Sequence, residues 1–214
     1  MRRPDRSAAS FIPAKLTVPA LQEAATSCTG CDLYKRATQT VFGEGAGHAE
    51  IIVVGEQPGD QEDRAGHPFV GPAGKILDKA LAEAGIARRQ NVYVTNAVKH
   101  FKWEPQGRRR KHKKPSAAEI AACRPWLEAE VKAVMPHVIV CLGVTAAQSV
   151  FGKIVRVHEM RGRSWSTAIG ENVFVTVHPS AILRHPEAAQ RDEEYRRFVE
   201  DLRGIGKFLK ARAA

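Results

Sequence analysis

His112 stands inside the most basic stretch of a 214-residue chain. From Asn96 to Ser116 the sequence carries Lys99, Lys102, Arg108, Arg109, Arg110, Lys111, Lys113 and Lys114 against a single acid, Glu104. That places +7 of the formal +10 net charge in 21 residues. Clustered cations of this kind bind phosphate, and His112, flanked by Lys111 and Lys113, is a side chain in the run Arg108 to Lys114 that can be uncharged at neutral pH. The bland alternative is a solvated surface run, but the cluster lies mid-chain between two well-marked elements, where a tail cannot be. It lacks apolar periodicity and is interrupted by Pro105, Gly107 and Pro115, so it reads as an exposed loop.

Three other polar groups sit where segments of strand character end: Glu56-Gln57-Pro58-Gly59-Asp60, Asn96, and His178-Pro179-Ser180. Each has a dull explanation as a turn, a cap or a surface residue. Their convergence on one edge of a sheet is more informative, because open parallel sheets bind ligands beyond the carboxyl ends of their strands. The cysteines form a second constellation. Cys28 and Cys31 make a C-x-x-C pair, Cys123 falls on a helical segment, and Cys141 lies in an apolar strand. No second C-x-x-C knuckle is present, as a zinc ribbon would have. The bare pattern leaves an iron–sulfur cluster, zinc and no metal open alongside one another.

The elements that must position these groups alternate between strand and helix. Glu50 to Gly55, Asn91 to Thr95, His137 to Leu142 and Asn172 to Val177 read as four buried strands. Pro72 to Ala84 has helical apolar spacing, Ser116-Ala117-Ala118-Glu119 is a capping-box signature with Pro125 a possible kink further along, and Pro186 to Ala211 reads as a long charged helix. Ile154 to Arg163 is ambiguous, with an edge hairpin as one reading. The expected fold is α/β, a three-layer α/β/α sandwich around a mainly parallel four-stranded central sheet. Residues 1–14 are expected to be mobile and 15–214 to form one domain.

Composition sets outer bounds. A pI near 9.7 points to a polyanionic partner, nucleic acid before membrane. No apolar run approaches a bilayer span, and the N-terminus lacks a secretory h-region, so a cytoplasmic, thiol-reducing setting is expected. Gly43-Glu44-Gly45-Ala46-Gly47 precedes a strand and is no dinucleotide fingerprint. Gly71-Pro72-Ala73-Gly74-Lys75 lacks the length and hydroxyl of a P-loop.

Taken together, Cys28-x-x-Cys31, Gly55-Glu56-Gln57-Pro58-Gly59, Pro68-Phe69-Val70-Gly71-Pro72-Ala73-Gly74, Val94-Thr95-Asn96-Ala97-Val98-Lys99-His100, Cys123, Cys141 and His178-Pro179-Ser180 resemble the family 4, iron–sulfur uracil-DNA glycosylases. Gln57 and the basic insertion resemble the UdgX branch, whose K-R-R-I-H loop stands here as Arg108-Arg109-Arg110-Lys111-His112, with Lys111 in place of the apolar residue. The resemblance implies a [4Fe–4S] cluster on Cys28, Cys31, Cys123 and Cys141, and a uracil-containing DNA partner, single- or double-stranded, bound by a monomer. It implies that uracil is extruded from the stack, stacked on Phe69, read by Asn96 and hydrogen-bonded at O2 by His178. His112 would capture C1′ covalently, with Glu56 orienting or deprotonating it or stabilising the cationic centre. Asp60 and Gln57 would shape the same pocket, Arg110 would position the loop or contact phosphate, and Arg108, Arg109, Lys111, Lys113 and Lys114 would grip the DNA backbone. Two other functions fit the same residues: a hydrolytic multiple-turnover glycosylase, or a non-catalytic iron–sulfur protein that binds nucleic acid.

Overall fold

The computed structural model describes residues 7–213. Among the described residues eight strands form two sheets. The central sheet holds β1 (Glu44–Gly45), β2 (Ile51–Gly55), β3 (Val92–Asn96), β6 (Val138–Leu142), β7 (Ser164–Thr167) and β8 (Gly170–Thr176), in the order β1-β3-β2-β6-β8-β7. The inner four are parallel, and each end carries an antiparallel edge strand. The sequence expectation of four strands is therefore corrected to six. β1 is two residues of a glycine-rich passage and carries no readable period. The edge hairpin of β7 and β8 lies just beyond the ambiguous 154–163 segment, which instead contains a short helix.

Side chains on successive strand residues point to opposite faces, and both faces here are apolar. Ile51, Val53, Val92, Val94, Val138 and Val140 pack on one side against α3 (Pro72–Glu83), α8 (Pro179–Arg184) and α9 (Ala188–Ala213). Ile52, Val54, Tyr93, Ile139, Cys141 and Val175 pack on the other against α5 (Ala117–Val134), α6 (Gly143–Phe151) and α7 (Val157–Met160). This is a three-layer α/β/α sandwich. α1 (Val18–Ala25), α2 (Asp60–Ala65) and α4 (Arg88–Asn91) complete the helices.

α5 starts at the expected capping box: Ser116 Oγ accepts from the Glu119 amide, and Glu119 Oε2 accepts from the Ser116 amide. Pro125 does not restart the helix, which runs as one element past it. Ahead of α1, Ala8–Phe11 form a 3-10 turn with Ala8 buried against α5. The expectation of mobility thus falls on that packed turn and on residues 1–6, which lie outside the described residues.

Between β3 and α5 the basic segment is not an irregular loop. Trp103–Gln106 (β4) and Arg109–His112 (β5) pair antiparallel as a hairpin, with Gln106 opposite Arg109. The two-residue turn Gly107-Arg108 has Gly107 at φ +60, the positive φ that tight hairpin turns demand. The alternation that marks strands is absent because the hairpin stands off the core with most of its side chains in water.

Lys99, counted among the basic residues of that segment, is not on the surface. It is 1% exposed, and its ammonium donates to Glu130 Oε2 at 2.5 Å, Thr95 Oγ1 at 2.6 Å and the Asn96 carbonyl at 2.8 Å. Tyr93 and Thr95 donate to Glu130 Oε1 at 3.1 and 2.8 Å. Removing one partner of such a pair strands a buried charge, at about 3–5 kcal/mol. Glu130→Ala is expected to destabilise the protein by about that much in denaturant unfolding, and the double change Lys99→Met with Glu130→Leu to recover most of the loss.

Candidate active site

From β2 the chain passes outward to β3 and later returns to β6 on the other side of β2. The carboxyl ends of β2 and β6 therefore flank the point where strand order reverses, the place where such sheets bind ligands. A cavity of about 950 Å³ opens there, lined among others by Glu56, Phe69, Asn96, His112, Thr145 and His178. The three strand-end groups singled out in the sequence do converge, and the hairpin delivers His112 to them.

Close packing at the floor depends on a missing side chain. Gly55 pairs with Asn96 across the strands, and a Cβ on it would lie 2.4 Å from Asn96 Oδ1 and 2.7 Å from the Phe69 ring. Phe69 itself has φ +58, a conformation non-glycine residues adopt rarely and mostly where the surroundings enforce it. Part of that enforcement is Glu62, which the sequence reading did not single out. It is nearly buried, and its carboxylate accepts from the amides of Gly59 at 3.1 Å and Gly71 at 2.6 Å, tying the Phe69 loop to the loop after β2.

The two histidines of the cavity have opposite polarity, which the hydrogen bonds fix. His178 Nδ1 accepts from the Ser180 amide at 3.1 Å, so its proton sits on Nε2 and that nitrogen is a donor. Burial, together with Arg184 and His112, pushes its pKa down to about 4. It is a neutral donor at pH 7.

His112 is the reverse. Its Nε2 lies 2.8 Å from Gln57 Nε2, and an amide nitrogen only donates, so His112 Nε2 is unprotonated. The amide is oriented by its surroundings: Gln57 Oε1 accepts from the Lys102 amide at 3.1 Å, and Gln57 Nε2 also faces the Lys113 carbonyl at 3.0 Å. Glu56 Oε1 stands 3.4 Å from the same nitrogen. Partial burial lowers the His112 pKa, Glu56 opposes that, and Arg184 adds to it. The cation that adds to the lowering is Arg184 across the cavity, and not the lysines beside it in sequence.

The hairpin is fastened to α2. Arg110 donates to Asp60, to Asp63 Oδ2 at 2.6 Å and to Thr38 Oγ1 at 3.1 Å, with Phe101 and Trp103 against its guanidinium. Of the two roles expected for it, these contacts suit positioning the loop: it does not line the cavity, and its donors are engaged by Asp60, Asp63 and Thr38. Asp60 reaches the cavity rim as expected. Burial works against it, but hydrogen bonds from Arg64 and Arg110 hold its carboxyl below the usual range, so it is an anchor and a poor proton acceptor. Of the expected phosphate contacts, Arg108, Arg109 and Lys111 are exposed on the hairpin, Lys114 lines the cavity, and Lys113 pairs with Glu104 at 3.0 Å.

Residues 42–203 match the uracil DNA glycosylase superfamily. The chain belongs to that superfamily. It is 40% identical over 192 residues to a type-4 uracil-DNA glycosylase of Thermotoga maritima, covering 89% of this chain and 93% of that protein. It is 38% identical over 189 residues to one of Archaeoglobus fulgidus, covering 84% and 87%. A type-5 uracil-DNA glycosylase of Pyrobaculum aerophilum is 30% identical over 151 residues, 63% of each chain. Among the described residues no helix is long and apolar enough to cross a membrane.

Type-4 uracil-DNA glycosylases are [4Fe–4S] enzymes, and this superfamily member has thiols of the right chemistry for that cofactor. Cys28, Cys31 and Cys123 gather in the layer outside α5 with Leu21, Phe42 and Trp126. Cys28 and Cys31 are near enough to raise the Cys123 pKa electrostatically, although burial is the largest cause of its rise to about 12 and Lys99 opposes it. Trp126 Nε1–H donates to Cys28 Sγ at 3.2 Å and the Lys99 amide to Cys123 Sγ at 3.3 Å, donors that suit thiolate ligands. Among the described residues no three such groups stand close enough to share one metal ion; in a four-iron cluster each ligand takes a separate iron.

Cys141 is the correction. It sits mid-strand on β6, fully buried in the core on the sheet side of α5 with Ile52, Val54 and Val175, and burial alone raises its pKa. An apolar strand residue points into the sheet's packing and not out through a helix layer. The sequence held another ligand type that drew no notice: His100, 5% exposed, one residue past the amide that serves Cys123, with Nε2 on Thr40 Oγ1 at 2.9 Å. Cys141→Ser is expected to leave the broad cluster absorbance of the purified protein intact, and Cys123→Ser to abolish it, both read directly from the visible spectrum.

Proposed function

We propose that the protein is a uracil-DNA glycosylase that excises uracil from DNA and then joins itself to the deoxyribose it leaves, through His112. The observation that carries this reading is the unprotonated His112 Nε2, whose lone pair is held at the cavity by the Gln57 amide and lies beside the Glu56 carboxylate. Uracil extruded into the cavity would stack on Phe69, and the Asn96 amide would offer donor and acceptor to its Watson–Crick edge. As the C1′–N1 bond breaks, its electron pair leaves with the base and spreads onto O2. The His178 Nε2–H is a donor of the right polarity to stabilise that charge. The departing uracil takes its proton from solvent. His112 Nε2 then gives its lone pair to C1′, and the resulting imidazolium loses its Nδ1 proton to solvent.

Glu56 stabilises the positive charge at C1′ and on the ring. It has no need to deprotonate His112, since the attacking nitrogen carries no proton. An alkylated imidazole has no easy hydrolytic exit, so turnover is single. Arg108, Arg109, Lys111 and Lys114 hold phosphates, Lys113 joins them when Glu104 releases it, and residues 15–214 act as one unit. The cluster supplies a structural tie and enters no step of the reaction. Cys28, Cys31 and Cys123 hold it, with His100 in the fourth place in preference to Cys141.

Mixing the protein with a uracil-containing oligonucleotide should give a band that survives heat and detergent on a denaturing gel. His112→Ala should lose that band, and uracil release without any band would establish the hydrolytic alternative instead. The adduct-forming rate should be flat near pH 7 and decline only as pH falls below the ordinary imidazole value of 6.5, because the His112 pKa is lowered and protonation removes its lone pair. Arg184→Gln should move that acid limb to higher pH, a shift that a pH–rate profile would read.

A further inference from the structure

Three of the four inner strands lead into polar groups that reach the cavity, whereas β6 ends at Leu142 and is followed directly by Gly143. The contribution from β6 comes two residues later. Thr145, 1% exposed in the first turn of α6, donates its hydroxyl to Glu56 Oε2 at 2.5 Å. The other carboxylate oxygen, Oε1, is the one that faces His112 Nε2 at 3.4 Å. Gly143 makes this reach possible. Its φ of +84 turns the chain directly from strand into helix, and a Cβ there would lie 3.1 Å from the His178 Cβ.

We propose that Thr145 is a positioning residue that holds Glu56 against His112 and so steers the glycosyl centre toward the histidine and away from water. This rests on the covalent reading above. A carboxylate has two oxygens, and how they are engaged decides what it does. With Oε2 held by the Thr145 hydroxyl, the carboxylate is fixed with Oε1 beside the imidazole and is kept from rotating toward a water elsewhere in the cavity. Freed of Thr145, the same carboxylate can rotate and serve as a general base. Water oxygen would then bond to C1′, its proton would pass to Glu56, and uracil would leave with the electron pair as before. The product would be a free abasic site.

The measurement is a partition ratio, which is independent of how much active protein a preparation contains. End-labelled uracil oligonucleotide is reacted with excess protein, treated with alkali to cut free abasic sites, and run on a denaturing gel to compare adduct with cleaved strand. Thr145→Val and Thr145→Ala remove the hydroxyl with and without keeping the volume, and Thr145→Ser keeps the hydroxyl alone. The free abasic share is expected to rise about tenfold in the first two, the scale of one hydrogen bond to a charged group, and to return toward the unsubstituted value in Thr145→Ser. An unchanged ratio in Thr145→Val and Thr145→Ala overturns the proposal. So does an equal rise in Thr145→Ser, which would trace the effect to packing of the methyl group. If the unsubstituted protein gives no adduct, the covalent reading itself has failed and this inference falls with it; an adduct with an indifferent Thr145 overturns the positioning role alone.

Discussion

A single buried ammonium holds the two halves of this molecule in register. Lys99 brings a charge into the interior, where it is tolerable only if every proton finds an acceptor. Its three acceptors are a carboxylate on α5, a hydroxyl on β3 and the carbonyl of Asn96. The backbone amide of the same residue points the other way, to Cys123. One residue thus joins the thiol layer, the helix that separates it from the sheet, and the strand end that presents Asn96 to the cavity. A shift of α5 would be felt at Asn96 in the cavity wall through bonds of under 3 Å.

The site is organised by proton placement as much as by charge. Both histidines are held neutral, yet one presents a hydrogen and the other a lone pair, because Ser180 donates to the first and Gln57 to the second. Two neutral rings of opposite polarity flank the space where a base would break away from a sugar. That division of labour follows from short-range neighbours, and the net charge of the hairpin plays no part in it.

Much of this was legible in the sequence. The β-branched runs marked the four inner strands, and Ser116 with Glu119 marked the start of α5, because buried strands and capped helices carry local signatures. The polar strand ends at Glu56, Asn96 and His178 could be grouped from topology alone. What escaped was whatever depends on partners far along the chain. Lys99 looked like one more surface cation until Glu130 on α5 came into contact with it. Cys141 looked like the fourth thiol until the faces of β6 were assigned. Thr145 was one small residue in a helix of small residues, and only the return of β6 beside β2 gives it a carboxylate. The β4–β5 hairpin was missed because strands that bury little show no period.

The fastening of that hairpin separates its base from its tip. Gln57 and Arg110 grip the end that bears His112, while Gly107 at the turn has nothing within 4 Å of where a side chain would begin. Residues can therefore be added beside Gly107 without disturbing the cavity. The tip is a natural place to graft a peptide or a fluorophore, giving a tagged protein whose label rides outside the cavity while the histidine keeps its station.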